Sequence, residues 1–179
     1  MSKLDNEKHD LNDFVSDYWN RHRTSLEDGN IELKLDLSPR VSRDLSSQEA
    51  PYLTQIFGNV RSNAVKAIWN VEQEEEYYER AGKSRIVKGE ILVMTRKGDN
   101  GVEISISDNG HGIPDEHIDD VLRGRWSKRT KSVDREIRGM HLIHQAIEKL
   151  GGSVKLESEY GKGTTVYIYL PPRRYGQCN

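Results

Sequence analysis

Polar and apolar positions alternate along this chain with a period that changes several times, and each change marks an element. From Leu11 to Leu26 the residues Leu11, Phe14, Val15, Tyr18, Trp19 and Leu26 recur at mostly helical spacing, which predicts an amphipathic first helix. Ile31 to Leu37 alternates apolar and charged without a break, the period of a strand with one buried face, and Ser38-Pro39-Arg40 ends it. A second helix is expected from about Pro51 to Trp69, with Ile56, Val60, Ala64 and Ala67 as its apolar stripe. Gly89 to Arg96 and Val102 to Ser107 read as two strands joined by a turn at Gly98-Asp99-Asn100-Gly101, Asn-Gly being a strong hairpin signal. A last helix, from about Met140 to Leu150, stops at Gly151-Gly152. Strands from Val154 to Ser158 and from Thr164 to Leu170 then flank Gly161-Lys162-Gly163 before Pro171-Pro172. This order predicts an α/β (α+β) two-layer sandwich, a mixed, mostly antiparallel sheet with helices on one face.

Two stretches break the pattern. Asn70 to Lys88, with Glu72-Gln73-Glu74-Glu75-Glu76, is too polar for a core element and reads as a solvated extension of the helix or a loop. A second long polar segment separates the hairpin from the last helix. A length of 179 residues fits one domain, and 34% hydrophobic against 31% charged residues implies a modest core with frayed ends. The 27 Lys and Arg against 29 Asp and Glu leave a formal charge of -2, which argues against holding a nucleic acid. No run approaches the roughly 20 apolar residues of a membrane span, and Met1-Ser2-Lys3-Leu4-Asp5 lacks a signal-peptide core, so a soluble, cytoplasmic chain without membrane contact is expected. The single cysteine, Cys178, excludes an intrachain disulfide or a metal-thiolate site.

Three clusters are candidates for chemistry. Asn59 and Asn63, four apart on the second helix, share a face, and their carboxamide oxygens are hard neutral ligands suited to a magnesium ion held mainly by phosphates. Lys66 adds a positive charge three residues on; taken alone, helical asparagines are usually surface residues or caps. Asp108-Asn109-Gly110-His111-Gly112-Ile113-Pro114 follows an alternating strand. An ionised Asp108 only accepts hydrogen bonds, an adenine amino group is a fitting donor, and glycines admit a flat base; an ordinary Asx-turn is the other reading. Gly161-Lys162-Gly163-Thr164-Thr165 is either a further glycine box or a hairpin turn. Gly139, after the basic residues Arg135 and Arg138, either lets a helix N-terminus approach phosphate or simply caps the helix.

The residues Leu53 to Ala67, Asp108 to Pro114 and Gly161 to Val166 together resemble the sequence boxes of the histidine-kinase-like ATPases, the GHKL superfamily, over most of Ile31 to Pro171. Within it the chain is most similar to the ATP-binding domain of two-component sensor histidine kinases, because Asn59 stands where hydrolysing members carry a glutamate base, and an amide cannot take a proton from water. The resemblance implies a Bergerat-type fold with ATP and Mg2+ as cofactors. It implies that Asn63 binds the metal with Asn59 beside it and that Lys66 contacts phosphate. Asp108, Gly110, Gly112 and Ile113 would form the base-binding turn, Arg138 and Gly139 would face phosphate, and Gly161, Gly163 and Thr164 would close the adenine side. The expected organisation is an N-terminal helical segment at 1-30, a domain at 31-172 that contains an ATP lid at about 113-138, and a tail at 173-179.

The sequence departs from that pattern in two places. Only Gly139 remains of the two glycines expected before the last helix, with Ile137 and Arg138 preceding it, so a weaker or differently shaped phosphate contact is expected. The aromatic box of the lid keeps Trp126 alone. His9-Asp10-Leu11 lies too close to the strand at Ile31 to sit on a hairpin of two long helices, and His111 and His141 read as hydrogen-bonding residues. The phosphoacceptor would therefore be a histidine-bearing dimerisation domain in a longer chain or in trans, with a response regulator downstream. The alternatives are a stand-alone anti-sigma-type serine kinase, which would resemble the hydrolysing members in carrying glutamate at position 59, and a degenerate nucleotide-sensing module without transferase activity.

Overall fold

The computed structural model describes residues 9–71, 88–123 and 137–172. The amphipathic N-terminal stretch folds as α1 (Leu11–Arg21) and α2 (Arg23–Asp28). Asp10 caps α1, its carboxylate accepting from the backbone N–H of Asn12 at 2.8 Å and of Asp13 at 3.4 Å. The expected single helix is broken at His22, whose N–H bonds back to Trp19 and whose ring meets that of Tyr18 edge-on at 5.0 Å. His9 and Asp10 form the short strand β1, which pairs with β3 (Asp44–Leu45).

β2 (Ile31–Leu37), β4 (Gly89–Gly98), β5 (Gly101–Asp108), β6 (Ser153–Glu159) and β7 (Gly163–Leu170) make one sheet in the order β2-β4-β5-β7-β6. β2 and β4 are parallel and the other neighbours antiparallel, because β2 reaches β4 through a long crossover while tight hairpins join β4 to β5 and β6 to β7. The crossover carries α3 (Ala50–Val71). A capping box that the sequence reading did not pick out starts it: Ser46 and Glu49 exchange side-chain-to-backbone hydrogen bonds at 3.3 and 2.9 Å.

Alternation decides which face is buried. Ile91 and Val93 of β4, Ile104 and Ile106 of β5, and Val166 and Ile168 of β7 are at most 7% exposed. Onto them pack Leu53, Ile56, Phe57, Val60, Ala64 and Ile68 of α3, and Met140, Ile143, Ala146 and Ile147 of α5 (Ile137–Lys149). α1 closes this layer, with Phe14, Tyr18 and Trp19 around Phe57 at centroid distances of 6.3, 5.2 and 6.1 Å. Side chains on the other sheet face pair in solvent: Arg96 with Asp36, Lys88 with Glu32, Lys34 with Glu90. The expected two-layer sandwich is the observed one.

The structure differs from the sequence expectation between the hairpin and the last helix. The beginning of the supposed lid, read as polar segment, holds α4 (Asp115–Leu122), whose Ile118, Val121 and Leu122 pack partly against the core. α5 begins at Ile137, earlier than the apolar pattern indicated. Asn70 and Val71 complete α3, but the charged run from Glu72, the lid residues 124–136 including Trp126, and the tail 173–179 lie outside the described residues. Among the described residues no helix is long and apolar enough to cross a membrane.

A small polar knot ties the first helix to the sheet. Thr95, fully buried, donates to Asn12 Oδ1 at 2.8 Å and accepts from the Ser38 N–H at 3.1 Å, while Asn12 Nδ2 donates to the Ser38 carbonyl at 2.9 Å. Each buried donor and acceptor here has its partner. Thr95→Val keeps the shape and removes the hydroxyl, so it should destabilise by about 1–3 kcal/mol in urea unfolding, although it adds apolar surface. An unchanged midpoint would show that the knot contributes nothing.

Candidate functional site

β5 ends at Asp108, and the chain then turns through Asn109, Gly110, His111 and Gly112 to Ile113. Asn109 holds the turn to the start of β4: its Oδ1 accepts from the Glu90 N–H at 2.7 Å and its Nδ2 donates to the Lys88 carbonyl at 3.1 Å. Gly110 presses on α3, where an added Cβ would lie 2.6 Å from the Ala67 methyl, and the next N–H donates to the Ala67 carbonyl at 3.2 Å. Gly112 has φ of 69° and an added Cβ would lie 2.2 Å from the Glu159 carbonyl oxygen, so this position needs glycine on two counts.

The β6–β7 hairpin closes the turn from the other side. Gly161 N–H donates to the His111 carbonyl at 2.7 Å. Ser158 Oγ accepts from the Ile113 N–H at 2.8 Å, donates to the Gly163 carbonyl at 2.9 Å and lies 2.9 Å from the Thr164 hydroxyl. Thr164 pairs with Asp108 across the β5–β7 ladder. Gly110, Gly112, Ile113, Gly161, Gly163 and Thr164, drawn from two distant segments, are thus one cluster around Asp108.

The Asp108 carboxyl is partly accessible yet has protein on most sides. Burial pushes its pKa from the ordinary 3.8 to about 7, against the opposing pull of the backbone N–H groups of Gly110, at 2.8 Å, and Thr164. A carboxylate raised in this way is incompletely supplied with donors. A ligand that brings one donor fits it.

The second half of the site lies along α3. Asn59 donates its amide to the Gln55 carbonyl at 2.8 Å, which leaves Oδ1 directed at the first turn of α5: a Cβ on Gly139 would lie 3.3 Å from that oxygen. At Gly139 the backbone of α5 therefore comes close to the asparagine. Asn63 is exposed and Lys66 half-buried, and neither side chain has a hydrogen-bond partner among the described residues. The backbone of Arg138 belongs to the first turn of α5. Asn59, Asn63 and Ala67 follow one another at intervals of four, so the α3 face that meets Gly139 at one end meets Gly110 at the other, roughly 12 Å away along the axis. Among the described residues no three His, Cys, Asp or Glu side chains gather as a metal cage. The oxygens available to a hard cation here are the neutral amides, which suit an ion held mainly by a ligand's own phosphates.

His9 is exposed at the far edge on β1, and His141 bonds to Gln145 at 2.9 Å on the outer surface of α5. His111 Nδ1 lies 2.5 Å from the Gly112 carbonyl. Sequence reasoning missed Ser158, Asn109 and Ala67. Ser158 has no local signal, since its partners are Ile113 on the distant turn after β5 and Gly163 and Thr164 at the start of β7. Asn109 stood inside the motif but its two backbone partners belong to the start of β4.

Two outcomes follow. Between about pH 4 and 7 the folded protein keeps a proton on Asp108 that the unfolded chain has released, so this residue favours folding at the acid end, and its contribution is lost as pH rises through 7. Asp108→Asn should flatten that part of the stability-pH curve of the ligand-free protein, measured by urea unfolding from pH 4.5 to 8; an identical curve would contradict the raised pKa. Ser158→Ala should leave the Ile113 N–H unpaired and cost about 1–3 kcal/mol. Hydrogen exchange should then speed up first at residues 109–113.

Comparison with known proteins agrees with this geometry. The model of the histidine kinase-, DNA gyrase B-, and HSP90-like ATPase family matches residues 48–174. Sensor histidine kinase ZraS of Escherichia coli (strain K12) is 27% identical over 66% of this chain, and sensor protein kinase WalK of Staphylococcus haemolyticus is 27% identical over 96% of it. The chain spans only 21% and 27% of the lengths of those two relatives. The fold is that of the catalytic domain of histidine kinase ThkA, with a TM-score of 0.67 at 15% identity covering 94% of this chain and 97% of that one. The mycobacterial sensor histidine kinase MprB gives 0.65 at 20% identity, covering 96% of this chain and 100% of that one. With its glycine turn at Asp108, its helix of paired asparagines and this match over most of its length, the chain belongs to the histidine kinase-, DNA gyrase B-, and HSP90-like ATPase family.

Proposed function

We propose that this chain is the phosphoryl-donating part of a sensor histidine kinase: it binds Mg-ATP and passes the γ-phosphoryl to a histidine on a dimerisation domain in a longer chain or in trans, with a response regulator downstream. The observation that carries the reading is that one face of α3 joins the donor-poor Asp108 turn at Ala67 to the Asn59–Gly139 contact, a span that suits an extended nucleoside triphosphate. The names of the relatives support it, and so does the asparagine at position 59.

In this reading Asp108 accepts a hydrogen bond from the adenine amino group, with Gly110, Gly112 and Ile113 lining the base and Gly161, Gly163 and Thr164 closing its edge. Asn63 and Asn59 offer their amide oxygens to a magnesium ion that neutralises phosphate charge when bound. Lys66 adds a cation on the same side, and Arg138 and Gly139 border the phosphates. In transfer the γ-phosphorus bond to the bridging oxygen breaks, a bond to an imidazole nitrogen forms, and ADP leaves with the electron pair. Little covalent chemistry is asked of this chain; it positions and neutralises. Because Asn59 is not a base, water in the site is not activated, and the phosphoryl group is kept for the acceptor.

Titration with a fluorescent ATP analogue tests the pocket. Asn at 108 keeps one oxygen and turns an N–H2 donor toward either Gly110 or the base, so Asp108→Asn should weaken binding roughly 10- to 100-fold. Binding should also release protons at pH 6–7, seen as a buffer-dependent calorimetric heat, since the adenine donor favours the ionised carboxylate. Asn63→Ala should reduce transfer from labelled ATP to an acceptor-histidine hairpin more than it reduces nucleotide affinity. Unchanged affinity of Asp108→Asn would sink the adenine assignment, and label on serine would sink the histidine-kinase assignment.

A further inference from the structure

The tripeptide Asp-Asn-Gly occurs twice in the chain, at residues 99–101 and 108–110, once at each end of β5. Asn-Gly is a chemically reactive junction, because glycine has no side chain to keep its backbone nitrogen away from the carboxamide carbon of the preceding asparagine. The two copies are alike in local chemistry, so what distinguishes them is the fold.

At Asn109 the fold holds both reacting groups. Its Oδ1 accepts from the Glu90 N–H at 2.7 Å and its Nδ2 donates to the Lys88 carbonyl at 3.1 Å, so the carboxamide is fixed at both ends. The Gly110 nitrogen, which would have to attack it, donates to Asp108 Oδ1 at 2.8 Å and belongs to a residue pressed on Ala67. Reaction there requires these contacts to open together.

Asn100 is exposed in the turn between Gly98 and Gly101, where it borders an open concavity of about 440 Å³. Its side chain has no hydrogen-bond partner among the described residues. The glycine after it is not exchangeable: Gly101 has φ of 139°, and an added Cβ would lie 2.0 Å from the Leu170 carbonyl oxygen. Strand pairing thus demands the residue that leaves Asn100 open to attack.

We propose that Asn100 is a site of spontaneous deamidation and isomerisation, and that the hydrogen bonds of the Asp108 turn spare Asn109 the same reaction. The Gly101 nitrogen gives its proton to solvent base and bonds to Asn100 Cγ; the Cγ–Nδ2 bond breaks and the nitrogen leaves as ammonia. Water then opens the cyclic imide at either of its carbonyls, giving aspartate or isoaspartate. One water is consumed and one ammonia released, with no oxidation or reduction. Either product puts a new negative charge beside Asp99 and Glu103, which border the same concavity. Isoaspartate also routes the main chain through the side-chain carbon and so lengthens a tight hairpin turn. The site lies outside the nucleotide cluster and does not depend on the kinase reading.

The full chain, kept at pH 8 for several weeks and sampled by ion-exchange chromatography and peptide mass mapping, tests this. Asn100 should convert roughly 10- to 100-fold faster than Asn109, the factor by which two hydrogen bonds hold a group closed. In urea both tripeptides lose their surroundings, and the two rates should come together. Asn100→Ser should remove the early acidic species. Equal rates at the two asparagines of the folded chain would overturn the proposal. So would a difference that persists in urea, or an early acidic species that survives Asn100→Ser.

Discussion

The rotation of α3 about its own axis is the constraint on which the rest of the site depends. Leu53, Ile56, Phe57, Val60, Ala64 and Ile68 are all buried, wedged between the sheet and α1. Burying each side chain of this size is worth about 1.5–3 kcal/mol, less for alanine, so turning the helix by a single residue would give up much of that and present polar groups to the core. With the rotation fixed, Asn59, Asn63 and Ala67 have no freedom over where they face. The apolar stripe is in effect the address of the polar one. That is why a helix whose function is polar must be so firmly apolar on its other side.

The Asp108 turn shows the opposite economy. Nearly every group around it is satisfied: Asn109 by β4, the His111 backbone by α3 and Gly161, and Ile113 by Ser158. Asp108 has donors from Gly110 and Thr164, and these do not offset its burial. A rigid surround with one under-supplied carboxylate is a preorganised acceptor, and the stability lost in the empty protein is recoverable when a donor arrives. Were the surround soft, the carboxylate would swing into solvent and the selectivity for a donor would go with it.

The periodic parts of this fold were legible in the sequence. The alternation of β2, β4 and β5 and the stripe of α3 follow from one buried face each, and the glycine boxes could be placed because β5 runs straight into Asp108. What could not be read has a physical cause in each case. α4 has a narrow apolar edge, Ile118, Val121 and Leu122, within a charged stretch, and its packing depends on β6 being beside it. The break at His22 falls between Trp19 and Leu26, which are still seven positions apart, a helical spacing, so periodicity does not register it. Gly139 looked like a remnant of a glycine pair; its tightest neighbour is Asn59 Oδ1, on a helix some eighty positions earlier, and no local pattern shows that. Ser158 was invisible for the same reason.

β5 and β7 connect all of this, and their pairing is pinned by a glycine at each end. Gly101, with φ of 139°, begins β5 where an added Cβ would lie 2.0 Å from the Leu170 carbonyl oxygen. Gly163, with φ of 128°, begins β7 where an added Cβ would lie 1.9 Å from the Asp108 carbonyl oxygen. At either position a side chain would force the two strands apart at the point where the ladder starts, and a slip of one residue would turn Ile104, Ile106, Val166 and Ile168 out of the core. The register that buries those four side chains is thus the register that sets Thr164 beside Asp108. The strand pair fixes the Asp108 cluster by one rule: close backbone contact where only glycine fits, and an apolar ladder between.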